Sequence, residues 1–259
     1  MLSVQSLKGG YGSKTVINGV SFCADKGDMV YVIGANGCGK TTLLNTIIGY
    51  KKPTSGSIEF GGTDIDELSI KQKAHYVSYI PQQHVPTFGY TVRDVVVMGR
   101  ANSLPIYAVP KESDFVIVKE SLDMIGIEHL MNAQYSELSG GERQLVLIAR
   151  ALCQQAKMIV MDEPLQSLDF INQAMVLRAL KLLVSQGYSV MMSTHTAITN
   201  YADTDKVLLM SRDGSAIFGA IEQVLTQERM EAAYGIPLQT IFSKDARGGK
   251  HIFCMPTHI

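Results

Sequence analysis

The stretch Gly34-Ala35-Asn36-Gly37-Cys38-Gly39-Lys40-Thr41 constrains this chain more than any other. It fits the pattern G-x-x-x-x-G-K-[ST], and its flanks are the ones that pattern needs. Met29-Val30-Tyr31-Val32-Ile33 reads as a strand leading in, and Thr42-Leu43-Leu44-Asn45-Thr46-Ile47-Ile48 as a helix leading out. Glycines let a backbone wrap closely, with N–H groups aimed inward at an anion. The helix N-terminus adds its positive end. Lys40 is expected to reach the β- and γ-phosphates of a nucleotide, and Thr41 to hold Mg²⁺ through its hydroxyl. The plain alternative is a Gly-rich turn that happens to precede a helix; the flanks argue against it.

Two further stretches carry chemistry. Met158-Ile159-Val160-Met161-Asp162-Glu163 is a buried-strand run ending in two carboxylates. Beside a phosphate loop in a parallel sheet, Asp162 would stand at the carboxyl end of its strand, where ligands bind, and could hold Mg²⁺. Glu163 could accept a proton from the water that attacks the γ-phosphate. A strand that merely ends in charges is common, and only the phosphate loop gives these carboxylates a chemical reading. Leu138-Ser139-Gly140-Gly141-Glu142-Arg143-Gln144 precedes a helix expected over 145–153, with Ser139 a candidate N-cap. Its glycines would expose backbone N–H groups as a second anion site. Taken alone, a capped helix with a flexible entry accounts for it better.

The charge balance, 23 basic against 24 acidic residues, gives no sign of a nucleic-acid partner. None of Cys23, Cys38, Cys153 and Cys254 forms a C-x-x-C pair, so free thiols in a reducing compartment are expected. The first seven residues read as a strand rather than a signal peptide. No stretch approaches the ~20 apolar residues of a membrane helix.

Along the chain, Gly9–Gly12 reads as a turn, 15–22 and 28–33 as strands, and Gly61-Gly62 as a hairpin turn after a strand at 57–60. Helical spacing marks 91–98, with Thr91 as cap, then 114–125, 145–153 and 172–186. Strand patterns return at 158–161, 188–193, 207–210 and 215–218, and the tail over 251–255 reads as a last strand. The picture is an α/β nucleotide-binding core interrupted by a helical insert.

Together these residues resemble the ATP-binding cassette (ABC) family along nearly the whole chain. The phosphate loop matches Walker A, implying nucleotide contacts from Gly34, Asn36, Gly37, Cys38, Gly39, Lys40, Thr41 and Thr42. Val160-Met161-Asp162-Glu163-Pro164 matches Walker B, and Leu138-Ser139-Gly140-Gly141-Glu142 matches the signature motif. Gln82 after Tyr79-Ile80-Pro81 matches the Q-loop, Ser167-Leu168-Asp169 the D-loop, and Ser193-Thr194-His195 the switch histidine. Tyr11 falls where the family places an aromatic residue on the adenine. Leu165-Gln166 stand where the family usually has Thr-Ser or Thr-Asn.

The resemblance implies an α/β fold with a P-loop (RecA-like) core, an antiparallel β subdomain and an inserted α-helical subdomain. The expected division is 1–84 and 156–225 for core and β subdomain, 85–155 for the helical subdomain, and 226–259 for a C-terminal extension. It implies ATP and Mg²⁺ as cofactors, with Thr41, Gln82 and Asp162 as metal ligands and Glu163, His195 and Gln82 as the catalytic group. It further implies a head-to-tail dimer, each ATP also meeting Ser139, Gly140, Gly141 and Glu142 of the second copy, with Asp169 of the D-loop a further nucleotide-binding residue. Phe88–Arg100 and Tyr135–Ala151 look like importers for iron–siderophore, haem and vitamin B12. That branch implies a separate membrane permease docking near Gln82–Asp94, a substrate-binding protein acting indirectly, and a position on the cytoplasmic face of the membrane. The alternative is a cassette protein acting on ribosomes, though such chains usually carry two phosphate loops.

Overall fold

The computed structural model describes residues 1–82, 89–105, 107–194, 198–246 and 248–257. The chain folds as two compact units, Met1–Glu67 with Met191–Ile259, and Leu68–Val190.

The first unit opens with β1 (Leu2–Tyr11) and β2 (Lys14–Ala24), an antiparallel hairpin. The expected turn at Gly9–Gly12 is shorter than the sequence suggests: Gly9 and Gly10 belong to β1, and the turn is Gly12-Ser13. Gly10 is required by proximity, because a Cβ there would run into the Lys14 carbonyl. Then come β3 (Met29–Gly34), α1 (Lys40–Ile47), β4 (Ser55–Phe60) and β5 (Thr63–Asp64). Gly61 and Gly62 both take positive φ, so the β4–β5 hairpin turns where expected. One antiparallel sheet runs β2-β1-β4-β5.

The second unit holds α2 (Ile70–Tyr76), β6 (Val77–Ile80), α3 (Val92–Val97), α4 (Glu112–Met124), α5 (Gly140–Cys153), β7 (Met158–Met161) and α6 (Phe170–Ser185). Capping boxes start three of these helices, on Ser69, Thr91 and Ser139. Helix α5 starts five residues before the expected 145, because Ser139 caps it and Gly140–Gln144 form its first turns. Arg100, 9% exposed, ties the segment after α3 to α4 and α5. It donates to Asp114 Oδ1 at 3.0 Å, to the Cys153 carbonyl at 3.0 Å and to Gln155 Oε1 at 2.9 Å.

The unit boundary falls within β8 (Ser189–Thr194). The first unit then continues with β9 (Ile198–Tyr201), β10 (Lys206–Met210), β11 (Ala216–Ala220), α7 (Ile221–Val224), α8 (Gln227–Tyr234), β12 (Leu238–Lys244) and β13 (Lys250–Pro256). Its strands run in the order β11-β10-β3-β8, with β10 parallel to β3 in the register Met210↔Gly34. Every residue of β3 is buried, the mark of a parallel strand covered on both faces. The tail is more regular than a lone strand: β12, β13 and β9 form an antiparallel sheet. Among the described residues, all four cysteines are free thiols, and no helix is long and apolar enough to cross a membrane.

Candidate functional site

The phosphate loop lies in the first unit. Strand β3 delivers Gly34 at its carboxyl end, and the loop 35–39 turns the chain into α1. Gly39 is the N-cap residue, at φ 110°, and supplies no side-chain hydrogen bond. The first-turn N–H groups of α1 therefore lack a side-chain cap from that residue, the arrangement in which a helix start receives an anion. Gly37 also takes positive φ. Two glycines are required by close packing as well as by backbone angle or approach. A Cβ on Gly39 would lie 2.6 Å from Val16 Cγ1, and one on Gly34 2.6 Å from the Met210 carbonyl oxygen. Lys40 is buried and donates from Nζ to the Gly34 carbonyl at 2.9 Å and the Ala35 carbonyl at 3.4 Å. Its ammonium thus rests on the backbone of the loop itself. Thr41 is exposed, while Thr42 is buried and its carbonyl accepts from Thr46 Oγ1 at 2.7 Å. Asn36 is exposed on the loop.

Cys38 is buried, and burial pushes its thiol up; the nearby Lys40 ammonium opposes this more weakly. The thiol is kept protonated, as suits a small packing residue rather than a redox group. Tyr11, at the end of β1, is 57% exposed, and Lys51 Nζ sits 4.0 Å from its ring centroid. A base stacking on that face must displace the ammonium or use the other face. β8 ends at Thr194, and His195 lies outside the described residues.

The paired carboxylates lie in the second unit. β6 and β7 are parallel, with Ile80 opposite Met161, and the Asp162 N–H donates to the Ile80 carbonyl at 3.0 Å. Parallel pairing brings the two carboxyl ends together, so Gln82 and Glu163 emerge side by side although 81 positions apart. Gln82 Nε2 donates to Glu163 Oε2 at 3.3 Å and to Gln166 Oε1 at 2.6 Å. Asp162 is 2% exposed. Glu163 takes φ 46° and Ser167 φ 63°, both left-handed for non-glycine residues. The chain doubles back there, with the Gln166 N–H donating to the Glu163 carbonyl at 3.1 Å.

Sequence reasoning missed two residues here. Gln166 was noted only as a departure, and Gln173 carried no signal. From α6, Gln173 Nε2 donates to the Leu165 carbonyl at 3.3 Å and the Leu168 carbonyl at 3.1 Å, clamping the loop between Glu163 and Asp169. Asp169 caps α6, accepting from the Asn172 N–H at 2.8 Å.

The signature residues start α5. Ser139 Oγ accepts from the Glu142 N–H at 3.3 Å, and Glu142 Oε2 accepts from the Ser139 N–H at 2.8 Å. Hydrogen bonding from Ser139, the side chain first and the backbone second, holds the Glu142 carboxyl below the usual glutamate range. Gly141 is buried, and a Cβ there would run into the Asn172 carboxamide. This glycine therefore serves the close packing of α5 on α6, whereas Gly140 is exposed.

The profile of the family described as ABC transporter matches residues 17–166. The chain is 35% identical over 239 residues to the molybdate import ATP-binding protein MolC of Haemophilus influenzae, covering 92% of this chain and 89% of that protein. It is 33% identical over 247 residues to the hemin import ATP-binding protein HmuV of Rhizobium johnstonii, covering 92% of each. Among solved structures, an inward-facing conformation of a transporter described as metal-chelate type matches with a TM-score of 0.85 at 32% identity, over 99% of this chain and 97% of that chain.

Proposed function

Because this chain belongs to the ABC transporter family, we propose that it is the ATP-hydrolysing subunit of an importer. The cargo is a metal chelate such as a ferric siderophore, haem or a corrinoid, carried by a separate membrane permease. The observation that carries this reading is the likeness to the metal-chelate type transporter over 99% of the chain. A second reading, import of the molybdate oxyanion, is favoured by the 35% identity to the molybdate subunit.

The residues fit a nucleotide and its metal. The loop has no side chains at Gly34, Gly37 and Gly39, and α1 starts without a side-chain cap. Thr41, Gln82 and Asp162 offer the oxygen donors a hard divalent cation takes. Mg²⁺ would screen charge on the β- and γ-phosphates. Lys40 exchanges the carbonyls of Gly34 and Ala35 for phosphate oxygens. Glu163 orients the attacking water and takes its proton, and Gln82 and His195 are the other catalytic candidates. A second copy supplies Ser139, Gly140, Gly141 and Glu142, closing a head-to-tail dimer around each ATP, and Asp169 is a further nucleotide-binding residue. Closure and release form a two-state element that can drive the permease through the Gln82–Asp94 region at the cytoplasmic face; residues 83–88 of that region lie outside the described residues.

The test is light scattering on the Glu163→Gln variant with ATP, then with Mg²⁺ added. A dimer that persists in the variant and dissolves in the parent after hydrolysis is expected. A variant that hydrolyses ATP at the parent's rate removes Glu163 from the mechanism. Uptake of ferric siderophore, hemin or molybdate by vesicles holding the complete transporter separates the two cargo readings.

A further inference from the structure

Gln166 lies outside the residues expected at the site, yet it makes the shortest side-chain hydrogen bond to the Q-loop glutamine. Gln82 has one NH₂ group with two hydrogens. One is used on Gln166 Oε1 at 2.6 Å, the other on Glu163 Oε2 at 3.3 Å. The short bond is the anchor, and the longer one follows from it. Together they decide which end of the carboxamide faces the carboxylate: the nitrogen is turned to Glu163, and the oxygen is turned away.

The backbone carrying Gln166 is held for this. Glu163 at φ 46° and Ser167 at φ 63° bend the chain back, and the Gln166 N–H closes a turn on the Glu163 carbonyl. Gln173 grips the carbonyls of Leu165 and Leu168, on either side of Gln166. Reach matters too, because serine or asparagine at 166 is shorter by one or more methylenes. Neither would bring an acceptor to where Gln166 Oε1 stands, and hydrogen bonds fail within an ångström of lengthening.

We propose that Gln166 is a positioning residue that latches the Gln82 amide onto Glu163 and so restrains ATP hydrolysis until Gln82 is released. The Glu163 oxygen that receives the Gln82 N–H is a proton acceptor, and a donor resting on it competes with the attacking water. The proposal rests on the reading of Glu163 as the group that takes the water's proton.

The experiment compares the full-length parent with Gln166→Met, which keeps the length but lacks the acceptor, and Gln166→Glu, which keeps an oxygen at the same reach. ATP hydrolysis by the isolated subunit is one readout. The side-chain amide signals of Gln82, in nitrogen-15 spectra without nucleotide or Mg²⁺, are the other. Gln166→Met is expected to raise kcat about threefold, the factor that one exposed hydrogen bond is worth in a rate. It leaves KM for ATP unchanged and moves the Gln82 signals, while Gln166→Glu, which keeps an acceptor on the Gln82 N–H and adds a carboxylate beside Glu163, does not raise kcat and keeps the Gln82 amide held. An unchanged or lowered kcat in Gln166→Met, unmoved Gln82 signals, or a Gln166→Glu variant that behaves like Gln166→Met overturns the latch. Should Gln166→Met fail to fold, Gln166→Asn is measured against the same expectations. An inactive Glu163→Gln alongside a Gln166→Met of parental rate removes the latch alone; an active Glu163→Gln removes the reading beneath it.

Discussion

Gly39→Ala separates backbone strain from steric overlap in the phosphate loop. Gly37 and Gly39 both take positive φ, at 78° and 110°. An added Cβ on Gly37 meets nothing within 4 Å, so alanine there costs only backbone strain, about 1 kcal/mol. On Gly39 the same methyl lies 2.6 Å from Val16 Cγ1 and 3.0 Å from the Val16 carbonyl oxygen. Val16 stands in β2 between Thr15 and Ile17, which pair with Gly10 and Gly9 of β1, so its backbone is tied by both neighbours and gives way poorly. Overpacking of this kind costs about 1–3 kcal/mol beyond the strain. Gly39→Ala should therefore lose about 3 kcal/mol in all, some 2 kcal/mol more than Gly37→Ala. The loss can appear in either of two places. If the loop holds its shape, urea denaturation shows it as stability. If the loop shifts away from Val16, stability is kept and binding of a fluorescent ATP analogue weakens, by about thirtyfold for 2 kcal/mol. The sum of the two is the prediction. A Gly39→Ala protein with parental stability and parental nucleotide affinity would refute the packing argument for this glycine.

Two other perturbations test the second unit. Arg100→Leu should cost about 3 kcal/mol in urea denaturation, because it strands the Asp114 carboxylate and the Cys153 carbonyl that Arg100 now partners; a loss under about 1 kcal/mol would show the network to be idle. Glu142→Gln tests the cap of α5 through pH. The Glu142 carboxyl sits lower in the folded chain than in the unfolded one, so its contribution is complete above the unfolded value of about 4.3 and is lost as pH falls through the lower folded one. The group is partly exposed, so the contribution is below about 1 kcal/mol. Parent and variant should differ at neutral pH and converge in acid, and a gap that widens on acidification would contradict the sign.

Local signals carried the sequence reading far. The phosphate loop announces itself, because its glycines, lysine and threonine must be contiguous to wrap one anion. Capping residues were legible where they sit three positions before their partner, as at Thr91 and Ser139, since a capping box closes within one turn, but the helix behind Ser139 starts five residues before the expected 145. The Gly61-Gly62 hairpin was legible for the same reason. The misread elements are those whose partners are distant or packed from outside. Gly9 and Gly10 look like a turn until the Lys14 carbonyl is seen to need the space of a side chain. β9 and β12 have weak patterns of their own and form because β13 lies between them.

The same division holds at the site. By itself the sequence singled out the candidates for the chemistry: the phosphate loop, Asp162 with Glu163, Gln82 and the Ser139–Glu142 turn, most of them short patterns whose members are chain neighbours. Only the tertiary structure decided how Gln82 meets Glu163 and Gln166, across 81 and 84 positions. That meeting comes from the parallel pairing of β6 with β7, which lays two carboxyl ends together. No local pattern in either strand specifies its partner or its register, because both are selected by burial of the whole sheet.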